Sequence, residues 1–231
     1  MVKMAIIIIF FIFQIFSCNN TEEKYKKIMH DLYGENKEIK GDYDKSLSIK
    51  FNNGIFVGVK NGNVISFKGI PYAKPPIGDL RWKNPVLAED SNKIYQAYYF
   101  GKSPIQIEWE ALLGSYYPQS EDCLYLNIWL NSKDTSKEKA VIVFIHGGSY
   151  ASGGTSDPLY DGANLVAKFS DIIFITIAYR VGIFGFINLS SVPGGENYKT
   201  SNNLGLLDQI CALKWIQKNI KNFGGDPNKS L

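Results

Sequence analysis

From Leu47 onward the chain alternates short apolar runs with turn-forming residues, and the period of each run predicts its element. Three strand-like segments come first: Ser48–Phe51, Phe56–Lys60 and Val64–Phe67. Asn53-Gly54 and Asn61-Gly62, with Asn63 after it, separate them. Asn-Gly between such segments signals a hairpin, because both residues tolerate positive φ, so a small antiparallel meander is expected. Pro71, Pro75, Pro76 and Pro85 then predict a long irregular stretch. Leu124–Leu130 alternates at period two, as a half-buried strand does. Ala140–Ile145 and Ile172–Ala178 are almost unbroken runs of β-branched, aliphatic and aromatic residues, the pattern of strands covered on both faces. Between them Asp161–Phe169 suits a short helix. The strongest helical period runs from Asn203 to Asn222. Leu206, Ile210, Leu213, Ile216, Ile220 and Phe223 recur three and four residues apart, and Gly224 stands where a left-handed residue closes a helix. Strands alternating with helices predict an α/β domain with a mixed sheet.

The first residues follow another pattern. Lys3 precedes a run from Ala5 to Phe16 that is apolar except for Gln14 and ends at Ser17-Cys18-Asn19-Asn20. A charged start, a short apolar core and a small-residue exit describe an export signal over residues 1–18. The run is shorter than the ~20 apolar residues of a membrane-spanning helix. Two readings of Cys18 stand side by side. In one it is the lipidated first residue of a mature bacterial-type lipoprotein, a membrane anchor; in the other, ordinary cleavage falls near Ser17 or Cys18. Both predict a protein outside the cytoplasm, secreted or held at the cell envelope. Residues 19–46 are polar and rich in Lys, Glu and Asp, with one weakly amphipathic stretch at Tyr25–Tyr33, and read as a tether. The domain proper is 47–231.

Composition narrows the function. The 231 residues are 45% hydrophobic and 14% aromatic, enough for a packed core in one large or two small domains. A net charge of +3 with 20% charged residues is too mild for a nucleic-acid partner, and clusters such as Lys24-Tyr25-Lys26-Lys27 read as solvated surface. The chain has 3 cysteines, only the two histidines His30 and His146, and no CxxC, which excludes structural zinc. Cys123 and Cys211 fall in a strand and a helix, so separate buried thiols are expected.

The sharpest chemical signal is Phe144-Ile145-His146-Gly147-Gly148-Ser149, directly after a buried strand. A backbone free of large side chains there can turn its N–H groups toward a ligand. Two such donors stabilise a developing oxyanion, and losing one costs ~2.7–4 kcal/mol in transition-state stabilisation. The plainer reading is a Gly-Gly turn that merely ends the strand. A phosphate cradle lacks its motif, since neither GxGxxG nor GxxxxGK[ST] is present.

Six segments in order carry a resemblance. Gly69-Ile70-Pro71-Tyr72-Ala73-Lys74-Pro75-Pro76-Ile77-Gly78 with Arg81-Trp82, Glu121-Asp122-Cys123-Leu124-Tyr125-Leu126-Asn127-Ile128-Trp129 and His146-Gly147-Gly148 come first. Tyr179-Arg180-Val181-Gly182-Ile183-Phe184-Gly185-Phe186, Gly205-Leu206-Leu207-Asp208-Gln209 and Asn222-Phe223-Gly224-Gly225-Asp226-Pro227 follow. Together they resemble the type-B carboxylesterase and cholinesterase family over about residues 50–231. The resemblance implies an α/β-hydrolase fold, with a central mixed, mostly parallel sheet behind an N-terminal β-meander. It implies a serine carboxylic ester hydrolase acting on a small-molecule ester without metal or cofactor. In that reading the backbone N–H groups of Gly148 and Ser149 are oxyanion donors, in a loop opened by His146 and Gly147. The family's third loop position is usually Gly or Ala, and here it is Ser149. Arg81 and Glu121 are implied to form a structural ion pair, and His146 lies beside the site with no acid partner to make it a proton carrier.

Two departures matter. Many animal members bridge the cysteine equivalent to Cys123 to one in a Gly-x-x-Cys-Pro-Gln segment. Here Gly101-Lys102-Ser103-Pro104-Ile105-Gln106 puts Pro104 at that place, which implies a free thiol at Cys123. The sequence also contains no Gly-x-Ser-x-Gly, and Ser230 lacks the flanking glycines that make the strained nucleophile turn. Nucleophile, acid and histidine of the triad are all expected beyond Leu231, so these residues read as an N-terminal part of the enzyme, inactive alone. The sheet order of the family then predicts that Val141–Ile145 lacks its neighbour on the side of the serine-bearing strand. The competing function is a catalytically dead α/β-hydrolase-like adhesion or binding protein, because fold does not dictate chemistry. The intact oxyanion loop favours the enzyme.

Overall fold

Asn-Gly turns lay out the start of the domain as the sequence predicts. In the computed structural model, which describes residues 34–107, 118–133 and 138–230, β1 (Ser48–Phe51) pairs antiparallel with β2 (Gly54–Val57). β3 (Val59–Asn61) turns at Asn61-Gly62 into β4 (Val64–Pro71). The single strand expected over Phe56–Lys60 is divided at Gly58. A Cβ there would stand 2.7 Å from Ser66 O, and the chain passes at that point from one sheet to another. β5 (Ile94–Gln96) adds parallel to β2 and completes a small three-stranded sheet. Two-residue strands β6 (Ser103–Pro104) and β7 (Gln119–Ser120) pair with each other.

The central sheet also takes β8 (Tyr125–Asn131), β9 (Lys139–Ile145), β10 (Ile172–Ile177) and β11 (Gly225–Ser230), in the order β11-β9-β10-β8-β4-β3. β9 runs parallel to both β10 and β11, and the other pairings are antiparallel, so the sheet is mixed. The side of β9 expected to be unpaired is partly occupied: β11 meets it at Gly225↔Lys139 and again at Ser230↔Val141. The cause is the left-handed Gly224, φ 80°, which turns the chain out of the preceding helix and back alongside β9.

Among the described residues α1 (Ala163–Lys168) and α3 (Leu204–Asn219) flank the sheet, and the short α2 (Gly182–Phe186) packs against α3. Leu126, Ile128, Ile173, Ile175 and Ile177 bury one sheet face with Cys211, Ala212, Trp215 and Ile216 of α3. Trp129, Phe174 and Phe100 bury the other with Val166 of α1. β8 is therefore covered on both faces and is not the half-buried strand its alternation suggests. Its one central polar side chain is satisfied: Asn127 accepts from Gly69 N and donates to Thr176 Oγ1, both at 2.9 Å, bridging the register shift between Phe67 and Ile70 in β4.

α3 also corrects the sequence reading. Leu204, Asp208, Cys211, Ala212, Trp215, Ile216 and Asn219 point inward, whereas Leu206, Ile210 and Leu213 are exposed. The helix is apolar on two sides, and spacing alone does not say which side meets the sheet.

The export segment, Cys18 and residues 19–33 of the polar tether lie outside the described residues. The last part of that tether runs beside β5, with Ile39 N bonded to Ile94 O and Gln96 N to Lys37 O. Asn36 holds the carbonyls of Lys68 and Tyr99 through Nδ2 and accepts from the N–H groups of Tyr98 and Tyr99. No helix among the described residues is long and apolar enough to cross a membrane.

Candidate active site

β9 ends at Ile145, and the next residues leave the sheet in conformations that side chains resist. Gly148 has φ 108°, Ser149 φ 54° and Tyr150 φ 61°. Gly148 O accepts from Ala151 N at 2.9 Å and Ser152 N at 3.1 Å, which closes a tight turn. A Cβ on Gly148 would lie 2.1 Å from Ser152 O, so the turn requires glycine there. Left-handed backbone at two consecutive side-chain-bearing residues is strained and persists only when its surroundings hold it. Tyr150 supplies that hold. Its carbonyl accepts from Gly182 N at 2.7 Å, and its ring packs on Phe186 at 4.9 Å and Tyr179 at 6.4 Å. Gly147, Gly148 and Ser149 are exposed, and among the described residues no backbone acceptor takes the N–H of Gly148 or Ser149. Two neighbouring N–H groups thus stand without a backbone acceptor just past the C-terminal end of a central strand.

His146 supports this loop from beneath. It is 2% exposed and stacks on Tyr179 at 4.3 Å. Tyr179 OH donates to the His146 carbonyl at 2.8 Å. Nδ1 lies 3.0 Å from Gly147 O and therefore carries the ring proton, leaving Nε2 buried without a partner among the described residues. Burial pushes the imidazole pKa down. No carboxylate forms a hydrogen bond or ion pair with the ring among the described residues, and the geometry gives it a packing role.

Arg81 and Glu121 meet side-on, with Arg81 Nε to Glu121 Oε2 and Nη2 to Oε1 both at 2.5 Å. The hydrogen bonds and charge of Glu121 push the Arg81 pKa up. The Arg81 side chain is 42% exposed and that of Glu121 16%, so the pair is half in solvent and joins two loops.

A second ion pair went unassigned in the sequence reading and is the more deeply set. Arg180 follows β10, and Asp208 lies on the inner face of α3; their side chains are 3% and 0% exposed. Asp208 accepts from Arg180 Nε at 2.8 Å, Nη2 at 2.7 Å and the Arg180 backbone N–H at 3.1 Å. Burial raises the Asp208 pKa, and these three donors oppose that rise. Arg180 Nη1 also donates to Lys83 O, and Trp82 Nε1 to Ile183 O. The pair thus fixes the segment whose Gly182 N–H holds the 148–150 turn. A signal existed: an acid in phase with Leu204 and Ala212 on a helix has to be paired if that face is inside.

Cys123 and Cys211 are free, with 1% and 8% exposure. Burial raises both thiol pKa values, that of Cys211 to about 11. Pro104 sits in β6. Among the described residues no group of His, Cys, Asp and Glu side chains is placed to hold a metal ion.

A mixed sheet with helices on both faces, carrying free N–H groups on a glycine loop at a strand's C-terminal end, defines the α/β-hydrolase class. The sequence profile of the carboxylesterase family matches residues 45–229, and the chain belongs to that family. It is 45% identical over 174 residues to a para-nitrobenzyl esterase of Bacillus subtilis, covering 74% of this chain and 34% of that protein. It is 39% identical over 182 residues to the cholinesterase of Mus musculus, covering 75% and 29%. A thermophilic PNB esterase structure superposes with a TM-score of 0.72 at 40% identity, over 79% of this chain and 37% of that one. A Geobacillus stearothermophilus carboxylesterase gives 0.70 at 38%, over 80% and 36%. The chain spans about a third of the length of the curated relatives it matches.

Proposed function

We propose that these residues are the oxyanion-binding part of a serine carboxylic ester hydrolase. The observation that carries the reading is the 148–150 turn, in which Gly148 and Ser149 are exposed and their N–H groups have no backbone acceptor among the described residues. In an ester hydrolase a serine Oγ attacks the ester carbonyl carbon, the carbonyl π electrons move to oxygen, and a histidine takes the serine proton. The two N–H groups would receive the negative oxygen of that tetrahedral intermediate. They act without reorganising, because Tyr150, Tyr179 and His146 already hold the loop. Ser149 keeps the backbone donor of its position while adding a hydroxyl. Serine nucleophile, acid and histidine come in this reading from residues that follow in the full enzyme. Export through residues 1–18, with Cys18 lipidated or removed, belongs to the same proposal and rests on the Lys3, Ala5–Phe16 and Ser17-Cys18 pattern. Mass spectrometry of the mature N-terminus tests it; an intact Met1 on exported protein counts against it.

The activity is tested in a chimera in which residues 47–230 replace the matching third of the Bacillus subtilis para-nitrobenzyl esterase. Hydrolysis of a para-nitrophenyl ester is expected, and Gly148→Ala should lower kcat about 100-fold or more by displacing the donors. A folded chimera with no turnover would instead favour the binding-protein reading.

A further inference from the structure

A peptide unit is planar, so an N–H is directed by whatever holds the carbonyl at the other end of its plane. The Gly148 N–H shares its plane with Gly147 O, and the Ser149 N–H with Gly148 O. Gly148 O is held by Ala151 N at 2.9 Å and Ser152 N at 3.1 Å. Gly147 O lies 3.0 Å from His146 Nδ1 and stands against Gly153, where an added Cβ would come within 2.5 Å of it. A third peptide plane, that of Ser152 O and the Gly153 N–H, packs its oxygen on Gly148, where a Cβ would lie 2.1 Å away. Residues 152 and 153 therefore back both N–H groups, and their position sets the two directions.

What holds Gly153 comes from 47 residues earlier in the chain. Gln106 Oε1 accepts from Gly153 N at 2.6 Å, and Gln106 Nε2 donates to Gly153 O at 2.7 Å. Donor meets acceptor at both atoms, which fixes the orientation of the amide. Nε2 also donates to Pro104 O at 3.0 Å, and Gln106 N to Gln119 Oε1 at 2.8 Å, so the clamp is anchored on the β6–β7 pair. The 101–106 segment contains no cysteine to tie it down covalently.

We propose that Gln106 is a positioning residue for the oxyanion site: its side-chain amide clamps the Gly153 backbone and so sets the directions of the Gly148 and Ser149 N–H groups. The role rests on the ester-hydrolase reading for its chemistry, while the clamp itself is a matter of geometry. Two readouts on the chimera test it, ester kinetics and amide hydrogen exchange of residues 146–154 followed by mass spectrometry. Gln106→Ala is expected to lower kcat about 10- to 100-fold with KM within about twofold, because the N–H groups act on the transition state. It should also speed exchange in 146–154 while β8 and β10 keep their protection. Gln106→Glu is the conservative variant and decides the matter where Gln106→Ala does not fold. Its ionised carboxylate still accepts from Gly153 N but has no proton for Gly153 O; its protonated form restores both bonds. The ratio of its kcat to that of the parent chimera should therefore rise as pH falls from about 8 to about 5. Parental kcat in Gln106→Ala, a loss confined to KM, or a ratio flat with pH overturns the assignment. A parent chimera without turnover defeats the ester-hydrolase reading alone. Exchange then decides the clamp: faster exchange of 146–154 in Gln106→Ala supports it, and unchanged exchange overturns it.

Discussion

Asp208 is the residue on which the fold depends most sharply. Its carboxylate has lost its water and is satisfied by three donors of Arg180. Asp208→Asn would leave the guanidinium buried without a counter-charge, and a loss of ~3–5 kcal/mol is expected in urea unfolding. Arg81→Ala should cost distinctly less, because the pair is half in solvent and water can take the place of the lost guanidinium at Glu121; equal losses from the two variants would contradict this ranking. His146 adds a pH dependence of known sign. Burial lowers its pKa from 6.5, so the unfolded chain binds a proton that the folded chain refuses. That stability is complete above the unfolded value and is lost as pH falls below about 6.5. The melting temperature should fall between about pH 7 and pH 5.5, and His146→Phe, which keeps a ring against Tyr179, should flatten that fall. An identical slope in both proteins would exclude His146 as its source. At this scale the sequence marked the Gly148/Ser149 loop and the Arg81–Glu121 pair, but not Arg180–Asp208. The two charges stand 28 residues apart in separate motif segments, and only the approach of α3 to the end of β10 makes them partners.

α3 shows the same limit at the scale of an element. Period predicts its existence, and the expected stop at Gly224 closes the 3₁₀ turn Ile220–Phe223 into which α3 tightens after Asn219; both are local properties of the backbone. Which side faces inward is not local, since Leu206, Ile210 and Leu213 are as apolar as Cys211, Ala212 and Ile216. The inner face also carries Gly205, where a Cβ would lie 2.5 Å from Arg180 O in the segment that follows β10. Ile210→Lys is therefore expected to change the stability of the 231-residue chain by no more than about 0.5 kcal/mol, and Ile216→Ala to cost ~2–5 kcal/mol. Chemical denaturation of the two variants distinguishes this face from the alternative, in which the costs are reversed. β8 departs from its pattern for a related reason. Its alternation is real, but Asn127 and Asn131 fill the polar positions and are buried, satisfied by Gly69, Thr176 and the Val166 carbonyl.

For the molecule as a whole, the sheet with α3 on one face and α1 on the other isolates both described thiols from solvent. Cys123 and Cys211 should react with a thiol reagent at pH 8 only at the rate of unfolding, and raised pKa values slow them further because the thiolate is the reactive form. Rapid labelling of the native chain, or a disulfide between them, would refute the packing. The sequence by itself determined β8, β9, β10, α1 and α3, the Asn-Gly hairpins, the glycine loop after β9 and the family, because each is written in local spacing or in contiguous motifs. Tertiary structure alone decided the inward face of α3, the burial of β8 on both sides, the pairing of β11 with β9 and the Arg180–Asp208 bond. It also decided that Tyr150 and Gly182, 32 residues apart in sequence, hold the glycine loop in its strained turn. These depend on which surfaces meet when the sheet closes, and a pattern along one chain records what each residue prefers, not which neighbour it finds.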